Sequence, residues 1–174
     1  MTKIQAQLSR DIVTAESSQE AQTLFDSSRY GELVSGKFQY SAAEALYLVD
    51  KGKMDIFDPK DKKITFDDFV KLTSKKDKRF WTRYCVYRDM RDRGYIVKTA
   101  LKFGADFRVY DRGKKPGEEH AKWILYPVNE AEALTWYEFA AKNRVAHSTK
   151  KKLLIGIVDD ENDCTYYECT WTKP

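Results

Sequence analysis

Helix-starting residues and the spacing of apolar positions predict four helices. Ser41 and Thr135 each stand three residues before a glutamate, the pattern in which both side chains cap the first turn of a helix. Thr65 begins a further predicted helix. A fourth is predicted over residues 79–93, where apolar side chains recur at intervals of three and four residues and so share one face. Gly94 follows it and accepts the left-handed conformation that ends helices.

Between the helices, β-branched and aromatic residues bounded by turns predict strands over residues 54–57, 95–103, 105–110, 122–128, 153–158 and 166–171. In the second half of the chain the order is helix, three strands, helix and two strands. This order predicts a mixed sheet flanked by helices. Residues 1–30 show little periodicity and are expected to be irregular.

The most hydrophilic segment of the chain, Ser74–Lys78, marks the predicted domain boundary. Residues 1–77 are expected to form a small N-terminal α/β domain, and residues 78–174 a second domain that contains the mixed sheet. The fold class is therefore predicted to be α/β, of the α+β kind, with two domains.

Composition fits a globular chain, with 42% hydrophobic and 33% charged residues. No apolar run approaches the length of a membrane helix, and the N-terminus lacks the apolar stretch of a signal peptide, so a cytoplasmic protein is expected. The cysteines Cys85, Cys164 and Cys169 lack metal-ligand spacing and are interpreted as buried free thiols.

Positive charge is concentrated in the second half of the chain. Residues 1–77 carry 12 basic and 13 acidic side chains, whereas residues 78–174 carry 19 and 14. A basic domain is compatible with a phosphate-rich partner, because neutralising phosphates releases counterions. A solvated surface of ordinary composition would show the same excess.

The sequence resembles the archaeal tRNA-splicing endonucleases in segments that follow one another in the same order and at similar spacing. They are Glu44–Leu48 in the first half and Arg93–Thr99, Phe103–Phe107, Arg144–Ser148 and Lys151–Leu154 in the second. The resemblance implies an N-terminal α/β domain and a C-terminal nuclease domain. It also implies cleavage of the bulge-helix-bulge element of precursor tRNA without metal or other cofactor, giving 2′,3′-cyclic phosphate and 5′-hydroxyl ends.

The resemblance further implies a catalytic trio of Tyr110, His120 and Lys151. Histidine exchanges protons at neutral pH, which suits His120 to protonate the leaving oxygen. A lysine ammonium can neutralise the charge that develops on the phosphate, which suits Lys151. Tyr110 then either takes the proton of the ribose 2′-OH or merely orients that hydroxyl, since phenols ionise near pH 10. His147, beside a predicted helix end, is interpreted as structural.

Two further features concern RNA and partner subunits. Arg144 is a candidate to stack on an unpaired base of the substrate, with a surface salt bridge as the alternative. In the resembled family, an acidic loop such as Asp159–Asp163 docks on a basic patch of a partner subunit, and the final strand helps to pair subunits. We therefore expect a homo-oligomer, either a homotetramer or an assembly based on dimers, although a different partner chain and a merely solvated turn stay open.

Two other functions fit the same residues. A metal-dependent nuclease would hold magnesium with Asp106 and with Glu118 or Glu119. A non-catalytic RNA-binding or assembly subunit would bind precursor tRNA without cutting it. Dependence on added metal, and cleavage by the purified chain alone, distinguish these from the metal-independent enzyme.

Overall fold

The computed structural model describes residues 2–174, which divide into two compact units, one that runs to Tyr84 and one from Cys85 to Pro174. The elements of the first are β1 (Ile4–Ser9), β2 (Ile12–Glu16), α1 (Gln19–Ser28), β3 (Glu32–Val34), β4 (Lys37–Tyr40), α2 (Ala42–Asp50), β5 (Met54–Phe57), β6 (Lys63–Ile64) and α3 (Phe66–Lys76). The division falls within α4 (Phe80–Asp92). The boundary beside residue 77 stays a prediction.

The first unit is built on a six-stranded sheet in the order β3-β4-β2-β1-β5-β6. The expectation that residues 1–30 are irregular is wrong for the described residues 2–30, which contain β1, β2 and the whole of α1. In β1 the buried Ile4 and Ala6 alternate with exposed glutamines. The strand pattern is present, but it depends on a small alanine that carries little apolar signal. The helix α1 buries only Ala21, so its apolar face is equally weak in the sequence.

Side-chain caps start the helices where the sequence predicts them. The Ser41 hydroxyl accepts a hydrogen bond from the backbone N–H of Glu44 at 3.3 Å, and the Glu44 carboxylate accepts one from the Ser41 N–H at 3.1 Å. Thr65 caps α3 by accepting from the N–H of Asp68 at 3.2 Å. The predicted starts of both helices are confirmed.

The second unit holds a five-stranded sheet in the order β11-β10-β9-β8-β7, with α5 between β9 and β10. Its elements are β7 (Ile96–Ala100), β8 (Ala105–Tyr110), β9 (Trp123–Asn129), α5 (Trp136–Ser148), β10 (Lys152–Val158) and β11 (Cys164–Cys169). Strands β9 and β10 run parallel and the other neighbours antiparallel, so the sheet is mixed. The predicted fold class is confirmed.

Two strand predictions differ from the structure by more than one residue at an end. The strand over residues 95–103 ends at Ala100, and Leu101–Phe103 form a turn of 3-10 helix instead. Leu101 is 71% exposed, so its apolar side chain marks no core position. The final strand begins at Cys164 and ends at Cys169, two residues earlier than predicted at each end.

Both faces of the second sheet contribute to the core. On one face the ring of Tyr87 in α4 packs against Phe107 of β8, with centroids 5.8 Å apart. On the other, Ile124, Tyr126 and Ile155 form a cluster with Ala146 of α5. Because β9 and β10 are covered on both sides, they are apolar along nearly their whole length and do not alternate.

All three cysteines are free thiols. Cys85 is buried, as predicted, but Cys164 and Cys169 are only half-buried because they lie on the edge strand β11. Among residues 2–174, none of the helices has both the length and the apolar content needed to span a membrane.

Candidate active site

Sheet topology brings Tyr110, His120 and Lys151 to one edge of the second sheet. Tyr110 is the last residue of β8, and the antiparallel β9 begins beside it, with the Lys122 N–H donating to the Val109 carbonyl at 2.9 Å. Strand β10 runs parallel to β9, so both begin at the same edge. His120 comes shortly before β9, and Lys151 directly before β10.

The three side chains line one open pocket with a volume of about 320 Å³. The rest of its lining consists of Phe103, Arg108, Gly117, Glu118, Glu119 and Ala121. The pocket therefore brings together a phenol, an imidazole and an ammonium group. Their catalytic roles stay predictions.

Tyr110 is the most buried member of the trio, with 5% of its surface exposed. Burial raises the pKa of its phenol, and the positive charge of Arg108 offsets part of this increase. The phenol therefore keeps its proton at neutral pH.

Lys151 is fixed by the end of α5. Its backbone N–H donates to the Ala146 carbonyl at 2.8 Å, and the Lys150 N–H donates to that of His147 at 3.0 Å. Lys150 takes the left-handed conformation with φ 57°, so the chain turns sharply out of the helix and into β10. The Lys151 Nζ donates to the Thr149 carbonyl at 2.9 Å.

The ammonium group of Lys151 lies in a half-buried environment that is already positive. Burial lowers its pKa, and the nearby guanidinium of Arg108 lowers it further. Because Arg108 and Lys151 both line the pocket, a negatively charged ligand bound there would be stabilised by two cations rather than one.

His120 lies in the loop that connects β8 to β9 and is exposed. Two ion pairs hold this loop. Lys114 Nζ lies 2.8 Å from Glu119 Oε1, beside the histidine, and Lys122 Nζ lies 3.3 Å from Asp111 Oδ2, at the base of the loop. The imidazole is thus open to solvent and to substrate, and the two ion pairs of the loop do not involve it.

Arg144 and His147 do not line this pocket. Arg144 is exposed on α5 and lines a separate groove with Trp171. The alternative role in a salt bridge finds no support, since no acidic side chain in the described part of the chain pairs with Arg144. The imidazole of His147 packs edge-on against Trp171, with centroids 4.1 Å apart, in agreement with a structural role.

The residues proposed for a metal site do not converge. Glu118 and Glu119 line the pocket, but Asp106 does not. Burial raises the pKa of Tyr126, and the charge of Asp106 raises it further. Within residues 2–174, no group of three or more histidine, cysteine, aspartate or glutamate side chains is close enough to share a metal ion.

Arg108 is a pocket residue that the sequence reasoning missed. It stands two positions before Tyr110 in β8, and residues two apart on a strand share a face. The alternation was therefore a usable signal. Phe103 also reaches the pocket, with its ring centroid 5.5 Å from Lys151 Nζ.

Comparison with known proteins matches both units. The N-terminal domain of the tRNA intron endonuclease family matches residues 4–70, and the family's catalytic C-terminal domain matches residues 80–166. A tRNA-splicing endonuclease of Nanoarchaeum equitans is 51% identical over 137 residues, which cover 75% of this chain and 87% of the relative.

Two other relatives are matched over nearly their full length. The tRNA-splicing endonuclease of Thermococcus onnurineus is 40% identical, over 98% of this chain and 97% of the relative. That of Methanothermobacter thermautotrophicus is 37% identical, over 99% of both chains. With both domains matched and relatives of this similarity, the chain belongs to the tRNA intron endonuclease family.

Proposed function

We propose that the protein excises introns from precursor tRNA by cutting the RNA at bulge-helix-bulge boundaries without a metal ion. Family membership supports RNA cleavage at tRNA introns. The observation that carries the finer proposal is the single pocket lined by Tyr110, His120 and Lys151. These three groups suffice to remove the proton of the 2′-OH, to protonate the 5′-oxygen and to stabilise the negative charge that develops on the phosphate.

In the proposed reaction the ribose 2′-oxygen attacks the adjacent phosphorus and the bond from phosphorus to the 5′-oxygen breaks. The 2′-oxygen loses one proton and the 5′-oxygen gains one, so no water is consumed. The products are a 2′,3′-cyclic phosphate and a 5′-hydroxyl. Negative charge on the non-bridging oxygens is greatest between bond formation and bond cleavage.

His120 donates the proton to the 5′-oxygen in this proposal, because histidine is the side chain that most often transfers protons in catalysis and this one is exposed to substrate. Lys151 faces the phosphate. The protonated phenol of Tyr110 orients the 2′-OH, and its phenolate, a minor species because burial raises the pKa, takes the proton when it forms.

Arg144 is proposed to contact an unpaired base of the bulge. Its guanidinium is exposed, and the groove that it lines also contains the ring of Trp171, which is 58% exposed. A planar cation and an aromatic face are the groups that stack on bases turned out of a helix.

Cleavage of a synthetic bulge-helix-bulge RNA in excess EDTA tests the proposed function. We expect the purified protein to cut both bulges at the same rate with EDTA and with added magnesium, and to leave a fully paired RNA of equal length intact. Activity that EDTA abolishes and magnesium restores would instead identify a metal-dependent nuclease. Binding without any cleavage would identify an RNA-binding subunit.

We further propose that the chain assembles into an oligomer through the acidic loop Asp159–Asp163. Asp159 folds the loop, since its Oδ1 accepts the N–H groups of Glu161 at 3.0 Å and Asp163 at 2.9 Å. Asp160, Glu161 and Asp163 are exposed, and no basic side chain within residues 2–174 forms an ion pair with them. Three uncompensated carboxylates repel one another and suit a basic partner surface.

Replacing these three exposed acids while keeping Asp159 should weaken the oligomer. We expect the variant Asp160→Asn, Glu161→Gln, Asp163→Asn to keep its circular dichroism spectrum but to have a lower mass by light scattering at low protein concentration. Cleavage of the two-bulge RNA should decline in parallel, since two scissile phosphates call for two copies of the pocket.

The matched control removes three exposed acids elsewhere, with Asp50→Asn, Asp67→Asn and Glu132→Gln. This control changes the net charge by the same amount and should leave mass and cleavage unchanged. Unchanged mass and cleavage in the loop variant would show that the loop is only a solvated turn.

A further inference from the structure

Arg108 is a cation of the pocket to which the proposed reaction assigns no role. It lines the same pocket as Tyr110 and Lys151 and shares the face of β8 with Tyr110. Its Nε is buried, and no group among residues 2–174 accepts a hydrogen bond from it. An unsatisfied N–H on a charged group costs free energy, and an apolar side chain at this position would avoid that cost.

No carboxylate in the described part of the chain neutralises Arg108. Its register neighbours on the adjacent strands are Lys98 and Ile124. Within residues 2–174 it forms no ion pair, neither with Asp106 on its own strand nor with the glutamates of the pocket, of which Glu119 is paired with Lys114. The guanidinium therefore lines an open pocket, and no carboxylate among residues 2–174 neutralises its positive charge.

The two cations of the pocket act on each other. Burial is the larger cause of the lowered pKa of the Lys151 ammonium, and the charge of Arg108 lowers it further, so the two cations repel each other in the free protein. An anion that contacts both groups would relieve this repulsion. A ligand that gains charge during a reaction would relieve it most in the transition state.

We propose that the terminal N–H groups of Arg108 contact the non-bridging oxygens of the scissile phosphate, opposite or beside Lys151, and make Arg108 a further catalytic residue. This inference rests on the proposed function. A guanidinium can donate two parallel hydrogen bonds to a phosphate, whereas an ammonium acts as a point charge. As the 2′-oxygen bonds to phosphorus, before the 5′-oxygen leaves, the added charge falls on these oxygens.

The test compares Arg108→Gln and Arg108→Lys with Arg112→Gln in single-turnover cleavage. Arg112 is exposed and lies outside the pocket lining, and its Cζ lies 5.0 Å from the ring centroid of Tyr95. Its substitution therefore removes the same charge from a position near the pocket. RNA affinity is measured separately with a substrate that carries a 2′-deoxynucleotide at each cleavage site. Thermal unfolding followed by circular dichroism checks the fold of each variant.

We expect Arg108→Gln to slow cleavage by about 100-fold, the scale of losing one preorganised donor to a developing charge, and to change RNA affinity by less than about threefold. Arg108→Lys should be about tenfold slower than the unmodified protein, because it keeps the charge but loses the paired contact. Arg112→Gln should cleave normally. In a further variant, Arg108→Ala, guanidinium ion below the concentrations that unfold the protein should restore part of the lost rate.

A cleavage rate for Arg108→Gln within threefold of the unmodified protein would overturn the inference. So would a loss that appears wholly in RNA affinity. If Arg108→Gln does not fold, Arg108→Lys decides, because a normal rate in that variant would exclude the forked contact. Loss of activity on substitution of His120, together with normal activity in the Arg108 variants, would leave the proposed function standing and remove only this inference.

Discussion

Replacing His120 with alanine should slow cleavage of a bulge-helix-bulge RNA at saturating protein by about 100-fold or more. This is the usual contribution of a positioned general acid or base, and it corresponds to roughly 2.7 kcal/mol in the activation free energy. The 5′-oxygen is a poor leaving group as an alkoxide, so the loss of its proton donor affects the chemical step. RNA affinity should change little, because His120 lies in an exposed loop that two ion pairs hold independently of the imidazole.

His147→Ala is the matched control for this prediction. It removes the other histidine of the chain, which packs against Trp171 and does not line the pocket. We expect its cleavage rate to stay within about threefold of the unmodified protein when RNA is saturated. Both rates should be measured in single-turnover conditions, which report the chemical step. Equal losses of rate in the two variants would contradict the assignment of His120 as the proton donor.

Most of the elements that were predicted correctly have a signal within a few residues of sequence. The helix starts at Ser41 and Thr135 follow from side-chain hydrogen bonds within four residues, and the structure contains both capping boxes. Strand β8 was predicted with its observed limits, since the apolar residues and the glycine before it are unambiguous.

The predictions that failed concern segments in which the hydrophobic pattern is weak or misleading. Residues 1–30 were expected to be irregular because β1 and α1 bury small alanines, such as Ala6 and Ala21, rather than large apolar side chains. Leu101 extended a predicted strand on apolar character alone, although it is largely exposed in a 3-10 turn. The hydrophobic pattern of a short segment does not show which of its apolar residues stay exposed in the folded protein.

The pocket itself could be predicted only through the family resemblance. Tyr110 and Lys151 are brought together because β9 and β10 are parallel neighbours that begin at the same edge, and no local pattern fixes that pairing. The role of Asp159 in folding the acidic loop was also hidden, since four carboxylates in one short run look alike in sequence. Once the resemblance had assigned Tyr110 to the pocket, strand alternation could have added Arg108.

Cleavage of an RNA that lacks only the 2′-hydroxyl at the scissile nucleotide tests the central claim most directly, because the proposed nucleophile is then absent. We expect this substrate to bind with near-normal affinity and to remain uncut in EDTA, while the all-ribose RNA yields a 2′,3′-cyclic phosphate and a 5′-hydroxyl. A nuclease that activates water would not need this hydroxyl and would leave a 5′-phosphate. Continued cutting of the deoxy-substituted RNA, or a 5′-phosphate on the product of the all-ribose RNA, would contradict the account.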